Sequence, residues 1–167
     1  MRPSVAVIGL GHRLMGDEGI GPVIIDHLRR IPQLADCVDL MDLGTSGLAI
    51  LHAIEGRQKV VIIDCAYMGL GPGQMRRFGL DEVLSTKQIA GACDHQMDVI
   101  GLLNLARTLG QLPDQVVILG IEPKAVEPGP NLSEDLTGRI GYYLEVILAE
   151  LDLPIGWISK EKIWQGS

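Results

Sequence analysis

The chain has 167 residues, of which 47 % are hydrophobic and 21 % charged, with a formal net charge of −7. That length suits one domain with a substantial core, and the balance is that of a globular protein and excludes a disordered one. The acidic excess, with no run of Lys and Arg, argues against a nucleic-acid partner, and no stretch reaches the roughly 18 apolar residues of a membrane helix.

Ser4 to Leu10 (SVAVIGL) is short, apolar and rich in β-branched residues, which predicts a strand covered on both faces. Ile20, Val23, Ile24, Leu28 and Ile31 then recur at helical spacing, and Pro32 stops that helix. Val38 to Leu43 alternates as a second strand, and Leu48 to Ile54 makes a short helix between Gly47 and Gly56. Val60 to Asp64 (VVIID) is the strongest strand signal. The turn Gly69 to Gly73 (GLGPG) feeds a fourth strand near Gln74 to Phe78, expected antiparallel to the third. Residues 85–96 read as a polar, irregular loop. Val99, Leu102, Leu103 and Ala106 give an amphipathic helix ended by Gly110 and Pro113. Gln115 to Ile121 (QVVILGI) is the fifth strand. Leu132, Leu136, Ile140, Tyr143, Leu144, Ile147 and Leu151 trace one long last helix, with Asn131 or Ser133 near its cap. Strands alternating with helices predict a single three-layer α/β/α sandwich with a mostly parallel sheet. We place its domain at residues 1–153. A tail, 154–167, carries Trp157 and Trp164 and is expected either to lie over a groove on the body or to be mobile.

Cys37, Cys65 and Cys93 are odd in number and none pairs in a C-x-x-C spacing, so a disulfide framework is not expected and a reducing compartment fits. Met1 to Gly11 lacks the apolar core and cleavage site of a secretory signal. The expectation is a cytoplasmic protein.

In open α/β sheets, sites form beyond the carboxyl ends of the parallel strands. Asp17 and Glu18 follow the first strand through a Gly-rich loop; Asp42, Asp64 and Glu122 end later strands. His95 precedes the helix that must return to the same edge. Each has a bland reading. Acidic residues favour a helix N-terminus by roughly 0.3–1 kcal/mol, so Asp17 can be no more than a cap. His27 and His52 fall within helices and read as surface or packing residues. Asp64 stands out, because a charge directly after VVII is costly to bury without a partner. Together Glu18, Asp64 and His95 make an O,O,N donor set. That set suits a divalent transition metal with open positions for substrate or water, without choosing among nickel, zinc, iron or manganese. It points to metal-assisted hydrolysis.

A dinucleotide-binding fold is the main rival, because Gly9-Leu10-Gly11 follows a strand and Asp42 ends the next. The third glycine of G-x-G-x-x-G falls at Leu14, however, where a side chain obstructs close helix–strand packing. Asp17 and Glu18 would also repel a pyrophosphate from the helix end it needs.

Five segments in order carry a family resemblance. Gly11-His-Arg-Leu-Met-Gly-Asp-Glu-Gly-Ile-Gly21 resembles the G-N-x-L-x-x-D-[DE]-G-x-G signature of the hydrogenase maturation endopeptidases. Asp42-Leu-Gly-Thr-Ser-Gly-Leu48 resembles their D-x-G-T-x-G-x loop. Val61-Ile-Ile-Asp-Cys-Ala66 with Tyr67 and GLGPG looks like their central strand and hairpin, His95-Gln96 like their H-Q pair, and Gly120-Ile-Glu-Pro123 with Leu132-Ser-Glu134 completes the order. The resemblance implies a five-stranded mixed sheet and an endopeptidase that removes the C-terminal extension of a nickel–iron hydrogenase large-subunit precursor once nickel is inserted. It implies that Glu18, Asp64 and His95 are the catalytic and metal-contacting residues, and that Asp42, Gly44, Thr45 and Gly47 belong to the loop that selects substrate. Nickel would then be presented by the substrate, with another divalent metal able to replace it in vitro. Whether it polarises the scissile carbonyl or serves as a recognition handle stays open. The partner would be the precursor, with neither nucleic acid nor membrane involved, and the chain would act as a monomer. His12 stands where the family has Asn, so an extra imidazole could reach the site; Cys93 stands where a small polar residue is common. The alternative on the same fold is a non-catalytic chaperone that binds metal or precursor.

Overall fold

The computed structural model describes residues 3–85 and 94–158, and the side chains of 3–83 and 99–158. Five strands form one sheet in the order β2-β1-β3-β5-β4: β1 (Val5–Leu10), β2 (Val38–Gly44), β3 (Lys59–Cys65), β4 (Met75–Gly79) and β5 (Gln115–Ile121). All neighbours are parallel except β4 and β5. The sheet is therefore mixed and mostly parallel, as the sequence predicts.

The apolar runs of the strands split by parity between two cores, as a strand's period of two requires. Val7, Val61, Ile63, Val117 and Leu119 face one core, built with α1 (Ile20–Leu28) and α6 (Ile140–Glu150). Ala6, Ile8, Val60, Ile62 and Val116 face the other, built with α2 (Gly47–Ile54) and α4 (Asp94–Thr108). Two covered faces explain why these strands are nearly continuous in apolar residues.

Three expectations need correction. The fourth strand is antiparallel to β5 and lies at the sheet edge, not beside β3. Both sides of β3 are taken by β1 and β5, so the chain crosses the end of β5 to reach the free edge. Ala66 N–H donates to Ile121 O, Gly73 N–H to Glu122 O, and Glu122 N–H to Gln74 O. The Glu122 carboxylate accepts the N–H groups of Met68 (2.6 Å) and Leu70 (3.2 Å), which fastens the crossing.

The long last helix is two helices, α5 (Glu134–Thr137) and α6. Apolar spacing runs through the break, so periodicity alone does not reveal it. Gly138 weakens the helix there, the Arg139 N–H turns back to Leu136 O, and Arg139 itself leaves helical geometry at φ −109°, ψ 2°. Finally, His95 is not in a loop: α4 begins at Asp94, so His95 falls in its first turn. The polar first turn hides that start, because the apolar repeat begins only at Val99. A further helix, α3 (Leu80–Ser85), carries too little pattern to be predicted. Trp157 ends a short 3-10 turn and packs half-buried against the α1/α6 core; Trp164 lies outside the described residues.

Candidate active site at the carboxyl edge of the sheet

Glu18 owes its place to missing side chains. A Cβ on Gly11, whose φ is +125°, would lie 1.8 Å from Glu18 O. A Cβ on Gly21 would lie 2.2 Å from Leu10 O and 2.9 Å from Ile63 O. The two glycines therefore let a 3-10 turn, Gly16–Gly19, fold down on the end of β1 and pack against β3. That turn carries Glu18, which is 8 % exposed. Asp64, also 8 % exposed, ends β3 at the same edge, in register with Gly120. Two carboxylates far apart in sequence are thus buried at one edge of the sheet. Next to Asp64 opens an apolar cavity, walled among the described residues by Ile62, Ala66, Met68, Phe78 and Gly120. Apolar walls lower the local dielectric and strengthen electrostatic contacts made by the carboxylate.

The third expected member, His95, is placed only through its backbone; its side chain, like Cys93, lies outside the described residues. Among the described residues no three His, Cys, Asp or Glu side chains cluster to hold a metal. Glu18 and Asp64 are the two donors of the expected set whose side chains are described.

Asp42 stands at a β-bulge, where the register with β1 slips between Gly9↔Asp42 and Leu10↔Gly44. Bulges of this kind re-aim the chain beside functional sites. Asp42 Oδ1 accepts the Gly44 N–H at 3.0 Å, and Gly44 adopts φ +54°, a left-handed conformation suited to glycine. Gly11 N–H donates to Gly44 O at 2.9 Å, joining this loop to the one that leads to Glu18. Thr45 is exposed and its carbonyl accepts the Gly47 N–H; Gly47 then opens α2. Asp42 Oδ2 is taken by Arg13. With both oxygens engaged, Asp42 has little left for a ribose hydroxyl, which further weakens the dinucleotide reading.

His12 takes a hydrogen-bonding role within its own loop. Its Nδ1 accepts the Leu14 N–H at 3.1 Å. That bond engages Nδ1 with the backbone of its own loop. An asparagine Oδ1, the same number of bonds from the backbone, makes this i to i+2 turn bond. Histidine here makes the turn bond that an asparagine at this position could make.

Sequence reasoning undervalued Asp17. It is not the cap of its own helix. Its carboxylate, 1 % exposed, accepts from Lys124 N (2.8 Å), Ala125 N (3.3 Å), Ser133 N (2.6 Å) and Ser133 Oγ (2.9 Å). One buried side chain thereby closes the segment between β5 and α5 against the Glu18 turn. Its partners lie more than a hundred residues away, so no local pattern reveals them.

A family model described as hydrogenase maturation protease matches residues 22–150. The chain belongs to the hydrogenase maturation protease family. The Hydrogenase 2 maturation protease of Escherichia coli K12 is 31 % identical over 150 residues, covering 88 % of this chain and 90 % of that one. The hydrogenase expression/formation protein HupD of Thiocapsa roseopersicina is 31 % identical over 153 residues, covering 89 % of this chain and 68 % of that one. Among solved structures, the hydrogenase maturating endopeptidase HybD of E. coli superposes with a TM-score of 0.78 at 30 % identity, covering 91 % of this chain and 93 % of that one. The hydrogenase 2 maturation peptidase of a Thaumarchaeota archaeon gives 0.70 at 33 % identity, covering 92 % and 100 %. These protease relatives share the α/β sandwich with its mixed five-stranded sheet. No helix among the described residues is long and apolar enough to cross a membrane.

Proposed function

We propose that this maturation protease removes the C-terminal extension of a nickel–iron hydrogenase large-subunit precursor after nickel insertion. Glu18, Asp64 and His95 contact the nickel that the precursor presents, and Asp42, Gly44, Thr45 and Gly47 select which precursor is accepted. The observation that carries this reading is the burial of Glu18 and Asp64 at one edge of the sheet in a chain of this family. Two carboxylates and an imidazole suit a borderline divalent ion and leave positions open for ligands from the precursor. The metal belongs to the substrate, so the protein supplies half of a coordination shell and the geometry that aligns the tail beside it. On this reading the chain works as a cytoplasmic monomer on its precursor, and size-exclusion chromatography with light scattering checks the monomer.

Incubation with nickel-loaded and nickel-free precursor, read by mass spectrometry, tests the proposal. The loaded precursor should shorten by a defined C-terminal peptide and the nickel-free one should not. An unchanged mass with a protected tail would instead mark a chaperone. Asp64→Asn and His95→Ala should each abolish cleavage while keeping the fold by circular dichroism. Wild-type turnover in either variant removes that residue from the mechanism.

A further inference from the structure

Arg13 is the one cation of the loop between β1 and the Glu18 turn, and it bridges two carboxylates. Its Nη1 donates to Asp26 Oδ2 at 2.6 Å and its Nη2 to Asp26 Oδ1 at 3.1 Å, a bidentate pair with α1. Its Nε and Nη2 both donate to Asp42 Oδ2, at 3.0 and 2.8 Å. Nη2 also reaches Pro22 O at 3.4 Å. One guanidinium thus ties the β1 loop, the first helix and the bulged end of β2 together.

The bridge closes a ring. Asp42, held from one oxygen by Arg13, uses the other to accept the Gly44 N–H, and Gly44 O accepts the Gly11 N–H two residues before Arg13. Asp26 and Asp42 are both bonded to the same Nη2 nitrogen. Without the guanidinium, Asp42 Oδ2 loses both of its bonds to this loop while Asp26 keeps Arg29 at 3.5 Å, so the tie between the end of β2 and α1 is broken. Lysine does not replace it, because a single ammonium lacks the planar fork that serves two carboxylates at once. The carboxylates, Asp26 foremost, hold the Arg13 proton above the ordinary guanidinium range, and Arg13 in turn holds Asp26 below the ordinary carboxylate range. The Arg13–Asp26 pair therefore stays charged throughout the neutral range.

We infer that Arg13 is a positioning residue for substrate selection: it fixes the Asp42–Gly47 loop in its binding conformation through Asp42, without touching the scissile bond. This rests on the reading of that loop as the selector of the precursor.

Two measurements on the full-length chain test it. Amide hydrogen exchange reads the loop without any substrate. In Arg13→Ala the amides of Gly11 and Gly44 should exchange at least about tenfold faster than in wild type, while those of β3 and β5 keep their rates. Unchanged exchange at Gly11 and Gly44 overturns the inference. Steady-state cleavage of nickel-loaded precursor reads the consequence. Arg13→Ala should raise KM about tenfold with kcat within about twofold, Asp26→Asn should raise it by a smaller factor, and Arg13→Lys should recover less than half of the loss. A fall in kcat at constant KM, or a wild-type KM in Arg13→Ala, overturns it too. If the wild-type chain leaves loaded precursor intact, the proposed function fails, and the exchange comparison still decides whether Arg13 holds the loop.

Discussion

The two ends of the sheet are held by different means. At the amino edge cationic side chains do most of the joining, with Arg57 also donating to the carbonyls of Pro3 and Ala53 and Lys59 to that of Glu150. Glu150, at the end of α6, receives Arg77 at 2.7 Å and Lys59 at 3.3 Å, and the buried Arg57 pairs with Asp39. At the carboxyl edge, buried carboxylates grip backbone N–H groups: Asp17 those of residues 124, 125 and 133, Glu122 those of 68 and 70. An ion pair that reaches no loop backbone stabilises without fixing a loop closely; the Arg13 bridge at the carboxyl edge fixes one because Asp42 also accepts the Gly44 N–H. A carboxylate bonded to successive peptide groups fixes the path of the chain itself. The edge proposed to hold the chemistry is the one where buried carboxylates grip the loop backbone. Substitutions at the carboxyl edge should therefore cost stability and activity together, and those at the amino edge stability alone.

The largest effect is expected from Gly21→Ala. The new Cβ meets backbone atoms of β1 and β3, at 2.2 and 2.9 Å, and backbone cannot swing aside as a side-chain tip can. The helix must lift off the sheet and take the Glu18 turn with it. We expect a loss of about 3 kcal/mol or more in denaturant unfolding, with cleavage lost even where the fold survives. Near wild-type stability would mean that α1 can lift off the sheet at little cost. Next comes Asp17→Ala, which strands three peptide N–H groups and the Ser133 hydroxyl. The expected cost is about 2–4 kcal/mol. Asp17→Asn, which keeps acceptor oxygen but loses the charge, should recover part of it. A cost within about 0.5 kcal/mol, the range of a plain surface change, would erase the contrast between the two edges.

Gly21 and Asp17 also show how far the sequence can be read. Strand identity, the two-sided cover of the sheet and the edge at which Glu18 and Asp64 both lie all follow from apolar runs and from the rule that places sites at strand ends. These signals are local, or depend only on element order. The partner of β4 is neither, since it depends on which flank of β3 is already filled. The reach of Asp17 to Ser133 and of Arg13 to Asp26 and Asp42 depends on three-dimensional packing that no spacing encodes. His12 is the intermediate case. Its place in the motif is visible in the chain, but only the Leu14 N–H at its Nδ1 shows that the imidazole makes a turn bond.

At the amino edge, Glu150→Gln should cost about 1 kcal/mol and leave cleavage of loaded precursor unchanged. Hydrogen bonds from Arg77, and then Lys59, hold the Glu150 carboxyl below its ordinary value of 4.5 against the opposing effect of burial. A depressed carboxyl stabilises the fold fully above its unfolded value, and the contribution drains away as pH falls through the folded one. Wild type should thus lose stability below about pH 4.5 more steeply than Glu150→Gln. Parallel acid curves for the two would show that these pairs add nothing, and a fall in cleavage for the variant would put this edge in communication with the site.

The smallest expected effect separates the edges by pH alone. His27, half-buried on α1, titrates below its ordinary 6.5, first because burial disfavours its charged form and then because Arg30 repels it, with Asp26 opposing both. Here too the folded value is depressed, so the stabilising contribution is whole above pH 6.5 and is lost as pH falls toward the folded value. Acid destabilisation should therefore begin in a shallow first step just below neutrality, well before the carboxylates of the amino edge titrate. His27→Gln should remove that step and leave the later one in place. Because Asp26 neighbours His27 and also anchors Arg13, the two contributions can be told apart by repeating the curve in Arg13→Ala. If the shallow step survives there and disappears only in His27→Gln, it belongs to the imidazole. If it moves with Arg13, it belongs to the bridge at the carboxyl edge, and the division between the two edges is less sharp than their contacts suggest.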